Sequence, residues 1–211
     1  MNNILIGWGL GLISTLFGWV LGLISKPIAD WVHTLWRGPR LTLNVESNPH
    51  QFQFGETDNN TFRQHTYHEV YINVEVSNDK QRTAENCRAW LVNIEKHYGG
   101  EFEPTGFRDS FPLIWAYDAK AESVPVAKDA VLRVNVLTIR DDRPGFTPRL
   151  RGDKGEVLSP KQYVSVFAEN GTHRFTVLVS AQDTPTRCIR LCVEREDGQW
   201  PPKSWECKTN S

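Results

Sequence analysis

Residues 70–95 read VYINVEVSNDKQRTAENCRAWLVNIE, and both halves of the stretch alternate with a period of two. Val70, Ile72, Val74 and Val76 fall on one side, and Tyr71, Asn73 and Glu75 on the other. After the polar turn Ser77-Asn78-Asp79-Lys80 the alternation resumes, with Trp90, Val92 and Ile94 opposed to Ala89, Leu91 and Asn93. Such a period sends successive side chains to opposite faces of a pleated strand, and turn residues between two such runs mark a hairpin. The bulkier set of the second run predicts Trp90, Val92 and Ile94 inside.

The same pattern extends outward. Candidate strands lie at residues 41–46, 69–77, 87–95, 113–117, 130–140, 162–168, 174–180 and 188–195. Leu132, Val134 and Val136 share a face, as do Val164 and Val166, while Cys188, Arg190 and Cys192 oppose Ile189, Leu191 and Val193. The polar segment 51–66 reads as a mobile loop, and no segment after Leu41 reads as a helix. Short strands joined by polar turns, without crossover helices, predict an all-β antiparallel sandwich over residues 41–211.

Within the opening stretch, Val74-Glu75-Val76-Ser77-Asn78, a polar turn, and then Ala84-Glu85-Asn86-Cys87 form a pattern V-x-V-x-N followed by A-x-N-C. It resembles prokaryotic immunoglobulin-like domains of the CARDB kind. The resemblance implies an immunoglobulin-like sandwich with Trp90 where such domains bury a Trp, Asn78 accommodating the turn and Ala84 tucked beneath it. It also implies an extracellular, adhesive setting.

Residues 4–24, ILIGWGLGLISTLFGWVLGLI, carry no charge, and the first ionisable side chain is Lys26. About 20 apolar residues cross a hydrocarbon core of about 30 Å as a helix. A cleaved signal peptide would need a basic n-region and a shorter apolar core, so residues 1–25 are read as a retained transmembrane helix. Gly7, Gly11, Ser14, Gly18, Gly22 and Ser25 fall within an arc of roughly 80° at 100° per residue. Two G-x-x-x-G pairs lie among them. Small residues let helix backbones approach in lipid, so a homo-oligomer through this face is expected.

Residues 26–40 form an interfacial amphipathic helix or linker, with Ile28, Trp31, Val32, Leu35 and Trp36 on one face and Gly38-Pro39 ending it. Packing of that face on the soluble domain is the other reading. Lys26, Trp31, Trp36 and Arg37 sit at the membrane interface. With Arg40, the basic residues flank only the C-terminal side of the span, so the positive-inside rule places the β-domain in the cytoplasm and the N-terminus outside. A reducing compartment then keeps Cys87, Cys188, Cys192 and Cys207 as thiols.

The 24 basic and 25 acidic residues nearly cancel, which gives no argument for nucleic acid. No catalytic motif, phosphate loop or zinc spacing stands out, so neither an enzyme nor a cofactor is expected. Asp58, His65 and His68 could be imagined around a metal, but they lack metal-site spacing. The segment 140–161 places Arg140, Arg143, Arg149, Arg151 and Lys154 together as a candidate anion site, with a solvated loop as the alternative. The tail from 197 onward, with Trp200 and Trp205, is expected to fold back over the domain.

Two functions follow. The first is a membrane-anchored, self-associating adaptor whose cytoplasmic β-domain recognises a protein or small anionic ligand. The second is an oligomeric pore or membrane-disrupting effector gated by that domain. The span holds no charged residue of the sort that lines ion pathways, which favours the adaptor.

Overall fold

The computed structural model describes residues 38–57, 64–152, 154–158, 160–196 and 199–207. Gly7, Gly11, Ser14, Gly18, Gly22, Lys26, Trp31, Trp36 and Arg37 lie outside the described residues, together with the whole predicted span and interfacial segment. Among the described residues no helix is long and apolar enough to cross a membrane.

The domain opens with β1 (Leu41–Val45), β2 (Gln51–Thr57), β3 (Gln64–Asn78), β4 (Ala84–Tyr98) and β5 (Glu101–Pro104). Next come β6 (Phe111–Pro112), β7 (Ile114–Trp115), β8 (Val124–Val126) and β9 (Val131–Arg140). Three short strands follow: β10 (Thr147–Pro148), β11 (Leu150–Arg151) and β12 (Val157–Leu158). A 3-10 turn at Lys161–Tyr163 leads into helix α1 (Val164–Ala168). The order is completed by β13 (Gly171–Ala181), β14 (Thr184–Arg195) and β15 (Lys203–Glu206).

One sheet runs β1-β3-β9-β10, with β2 also on β3 and β7 also on β9. The other runs β15-β14-β13-β4-β5, with β6 and β8 also on β4, while β11 and β12 pair by themselves. Every strand pairing among the described residues is antiparallel. A single hydrophobic cluster draws on both sheets, Val70, Ile72, Val74 and Val134 from the first, and Leu91, Ile94, Phe175, Val177 and Leu191 from the second. The predicted all-β antiparallel domain is therefore present, with a sandwich-like arrangement.

The face of β4 differs from the sequence expectation. Ala89 and Leu91 are buried with Ile94, whereas Trp90 and Val92 are only half-buried. Thr176 pairs with Asn93 and Val177 with Leu91, so Val92 is an extra residue in the ladder. Such a bulge reverses which residues point inward. The Trp that fills the core is Trp115, at 1 % exposure.

Two segments change type. Residues 162–168, expected as a strand, form the 3-10 turn and α1 instead. Tyr163 and Phe167 are four apart and therefore on one helical face. Both rings lie against Phe107, at 4.8 and 6.3 Å between centroids. Residues 51–57, expected as a loop, form β2 and pair in register from Gln51 with Val70 to Thr57 with Gln64.

The turn between β3 and β4 is held by Asn78, which is fully buried. Its Oδ1 accepts from the Arg40 and Lys80 amides at 3.2 Å each, and its Nδ2 donates to the Arg82 and Val126 carbonyls at 2.8 and 3.0 Å. Ala84 beside it is equally buried.

The expectation of four thiols is corrected for two of them. Cys192 and Cys207 form a disulfide with Cα atoms 5.5 Å apart, tying the end of β15 to β14. Cys87 is buried and free, its thiol pushed up to about 11 by burial, and Cys188 is exposed. The tail thus folds back as an edge strand, with Trp200 packed on the core and Trp205 exposed.

Candidate functional site

The outer face of the first sheet carries a cleft of about 250 Å³ lined by His50, Phe52, Phe54, Tyr71, Asn73, Ala116, Arg133 and Asn135. It opens where β3 is irregularly flanked on both sides. On one side β1 ends at Val45, the Glu46 amide still donates to the Asn73 carbonyl at 3.1 Å, and bonding to β3 resumes at His50, whose carbonyl accepts from the Tyr71 amide at 3.2 Å. On the other side the register with β9 shifts between Ile72 and Asn73, because Val136 is an extra residue. Bulges of this kind re-aim side chains and recur beside functional sites.

Its walls are aromatic. Phe52 meets Tyr71 edge-on at 5.4 Å, Phe54 stacks on Tyr67 at 5.6 Å, and Phe52 lies 6.2 Å from Phe54. Phe52 and Phe54 remain 47 % and 36 % exposed, unusual for adjacent Phe on a strand. The Tyr71 phenol is raised above its usual range, first by burial and then by the Glu69 carboxylate. Arg149 holds its guanidinium 5.5 Å from the Tyr71 ring.

Three polar lining residues, His50, Asn73 and Arg133, converge on Glu46, a carboxylate 6 % exposed. Its Oε1 pairs with Arg133 Nε at 2.8 Å and lies 3.5 Å from His50 Nε2, while Oε2 accepts from Asn73 Nδ2 at 2.7 Å. A buried carboxylate is tolerated when its oxygens are paired in this way. The bond fixes the Asn73 amide and leaves Oδ1 of this residue, 3 % exposed, closed to solvent and with no hydrogen-bond partner among the described residues. Asn73 is thus a buried, fixed lining residue beside an exposed aromatic wall.

The basic segment is not gathered into one cradle. Arg140 lies 3.3 Å above the Tyr67 ring and is bound by Asp142 at 2.6 Å and Glu56 at 3.2 Å. The bond from Arg140 holds the Asp142 carboxyl below its usual range. Arg143 borders a separate hollow of about 330 Å³ with Asp141, Asp142, Arg195, Glu196 and Trp200. Arg149 faces Tyr71, and Arg151 donates to the Lys120 carbonyl at 3.0 Å. Lys154 uses its backbone amide to bind Glu156 at 2.9 Å.

The segment is also more ordered than a solvated loop. Phe146 is buried and its amide donates to the Phe167 carbonyl at 2.8 Å. Gly145 has φ +73°, and a Cβ there would lie 2.0 Å from that carbonyl. Arg195 binds the Gly145 and Arg143 carbonyls from β14.

His65 and His68 pair with carboxylates instead of each other, at 3.4 Å to Asp142 and 2.8 Å to Asp141. Burial pushes Asp141 upward, but the bonds from His68 prevail and hold it below its usual range. Asp58 lies outside the described residues. No group of three or more metal-ligating side chains is present among the described residues.

A second hollow, of about 310 Å³, lies by α1 and is bordered by Lys96, Tyr98, Tyr163, Glu169 and His173. Lys96 binds Glu169 and holds that carboxyl below its usual range. His173 is buried, with Nε2 unpartnered among the described residues and its pKa lowered to about 4 by burial.

The chain matches no known family model, no curated protein and no solved structure.

Proposed function

We propose that this chain is a membrane-anchored binding protein whose β-domain, built as an immunoglobulin-like sandwich, recognises its ligand in the cleft on the first sheet. The observation that carries the reading is the exposed Phe52–Phe54 wall of a cleft of about 250 Å³. Preformed concavities with apolar walls and a few placed polar groups are the usual form of a recognition site. Residues 4–24 supply the anchor, and their glycine face the self-association.

Lys26, Arg37 and Arg40 favour a cytoplasmic β-domain. There the Cys192–Cys207 pair would rest as two thiols and close only under oxidation, whereas an external domain would hold the bridge permanently. The basic flank is the stronger guide, because insertion is decided before the domain folds.

The test is a screen of the full chain in lipid nanodiscs for compounds and peptides that raise its unfolding temperature. The double variant Phe52→Ala/Phe54→Ala is run in parallel. Stabilisation seen with the wild type and lost in the variant is the expected result. A broad library that never distinguishes the two proteins would remove the cleft from the account.

A further inference from the structure

Three of the four cysteines share one face at the edge of the second sheet. The register of β14 with β13 is unbroken from Arg187 to Arg195. Cys188, Arg190 and Cys192 therefore share the face opposite the buried Ile189, Leu191 and Val193. On the other edge of β14, β15 sets Trp205 against Cys192 and Glu206 against Leu191. The next residue, Cys207, donates its amide to the Arg190 carbonyl at 2.8 Å. Cys207 thus stands opposite Arg190, midway between Cys188 and Cys192, and its disulfide runs diagonally to Cys192. The other diagonal leads to Cys188, which is exposed and free.

Reach decides whether that second diagonal can close. Four strand residues span about 13 Å, so Cys207, with its Cα 5.5 Å from that of Cys192, lies about 8–9 Å from Cys188. A disulfide closes at Cα separations up to about 6.8 Å, so the end of the tail has to swing by about 2 Å. Such a motion is open to it. β15 pairs with β14 alone among the described residues, and Cys207 lies beyond its last paired residue. Apart from the disulfide, the bond to the Arg190 carbonyl holds Cys207 against β14. Strand ends of this kind open at low cost.

We propose that Cys188 and Cys192 compete for Cys207, so that β15 is a latch closed by either of two disulfides. The Cys188 thiol gives its proton to solvent, and its sulfur attacks Sγ of Cys207. The Cys188–Cys207 bond forms as the Cys207–Cys192 bond breaks. The Cys192 sulfur leaves with the electron pair and takes up a proton. One thiol and one disulfide enter the step and one of each leaves it, so no oxidant or reductant is needed. Attacking and leaving sulfurs come from opposite sides of Cys207 along β14, as displacement at sulfur requires.

The two positions of the latch differ in access. Cys192 is 2 % exposed, whereas Cys188 lies open to solvent. A bridge moved to Cys188 is therefore the one that soluble thiols reach and release. Cys87 takes no part, since it is buried on β4, which β13 separates from β14.

The experiment uses the full chain in lipid nanodiscs, oxidised and then held at pH 8 without redox reagents, where thiolate is present to attack. Free thiols are blocked with N-ethylmaleimide before digestion with trypsin. Cleavage after Arg187, Arg190, Arg195, Lys203 and Lys208 puts Cys188, Cys192 and Cys207 in separate peptides. Mass spectrometry then counts each bridge directly. The two bridged forms differ by about one backbone hydrogen bond, roughly a factor of ten, so at least about a tenth of bridged chains should carry Cys188–Cys207. Cys192 should be blocked by N-ethylmaleimide to the same extent. In Cys192→Ser, oxidised glutathione should join Cys188 to Cys207. In a mixture of isotope-labelled and unlabelled protein, each bridge should carry a single isotope. A wild type bridged only through Cys192, with Cys188 fully blocked, would overturn the latch. A serine variant that holds Cys188 and Cys207 as separate glutathione adducts would overturn it too. Bridges joining labelled to unlabelled chains would do the same, because Cys188 would then act between molecules.

Discussion

Glu46 and His173 are the two buried ionisable groups from which the domain's chemistry is easiest to read. Glu46 is 6 % exposed and Arg133 43 %, so the pair is one-sided: the carboxylate is inside and its counter-ion leans in from solvent. Removing one partner of a buried pair typically costs about 3–5 kcal/mol. Arg133→Met should fall toward the lower end of that range in urea denaturation, since Asn73 still serves Oε2. Adding Glu46→Gln should recover much of the loss. A double variant as unstable as Arg133→Met alone would show that the carboxylate's charge is not what matters.

His173 makes the domain sensitive to mild acid. Its ordinary value is 6.5 and burial lowers it to about 4, with the Lys96 charge acting in the same direction and the Gly171 backbone and Glu169 against it. Above pH 6.5 the ring is neutral whether the chain is folded or not, and stability is unaffected. Between 6.5 and about 4 the unfolded chain takes up a proton that the folded chain refuses, so stability falls. Below about 4 the loss levels off, at about 3 kcal/mol. Asp142 and Glu169, held low by Arg140 and Lys96, contribute their own losses further into acid. His173→Phe should flatten the decline between pH 6.5 and 4, and an unchanged slope would contradict the assignment.

At the scale of elements, β3, β13 and β14 were legible because most of each run alternates, and β9 was legible as a strand although Val136 is an extra residue in it. The faces of β4 were not, since nothing in the sequence marks Val92 as the extra residue of a bulge. Leu91→Ala should cost about 2–5 kcal/mol as a buried Leu truncation, and Trp90→Ala less. The reverse order would restore the sequence-based face. β2 was missed because Gln51, Gln53 and Gly55 resemble a loop, although Phe52 and Phe54 already alternate with them. The helix α1 was missed because Val164 and Val166 satisfied a period of two while Tyr163 and Phe167 satisfied one of 3.6. The cleft itself was beyond reach, since it assembles Phe52, Asn73, Ala116 and Arg133 from four separate segments. β15 adds a further test. The disulfide closes a separation of 15 residues, and a loop of that size is worth about 3 kcal/mol. Reduction should lower stability by up to that amount and leave Cys192 and Cys207 open to alkylation. Identical stability of oxidised and reduced protein would show that β15 holds without the bond.

For the whole molecule, the proposed reading has residues 4–24 as the anchor of a β-domain whose cleft lies on one outer face. Hydrogen exchange on the full chain in lipid nanodiscs reads both parts at once. Backbone amides of residues 4–24 should stay protected, because a spanning helix bonds its own backbone away from water. Amides around β2 and Tyr71–Asn73 should exchange faster in the empty cleft and slow when a compound that stabilises the wild type in the library screen is added. Rapid exchange through residues 4–24, together with no change at the cleft on adding ligand, would contradict the membrane-anchored binding protein.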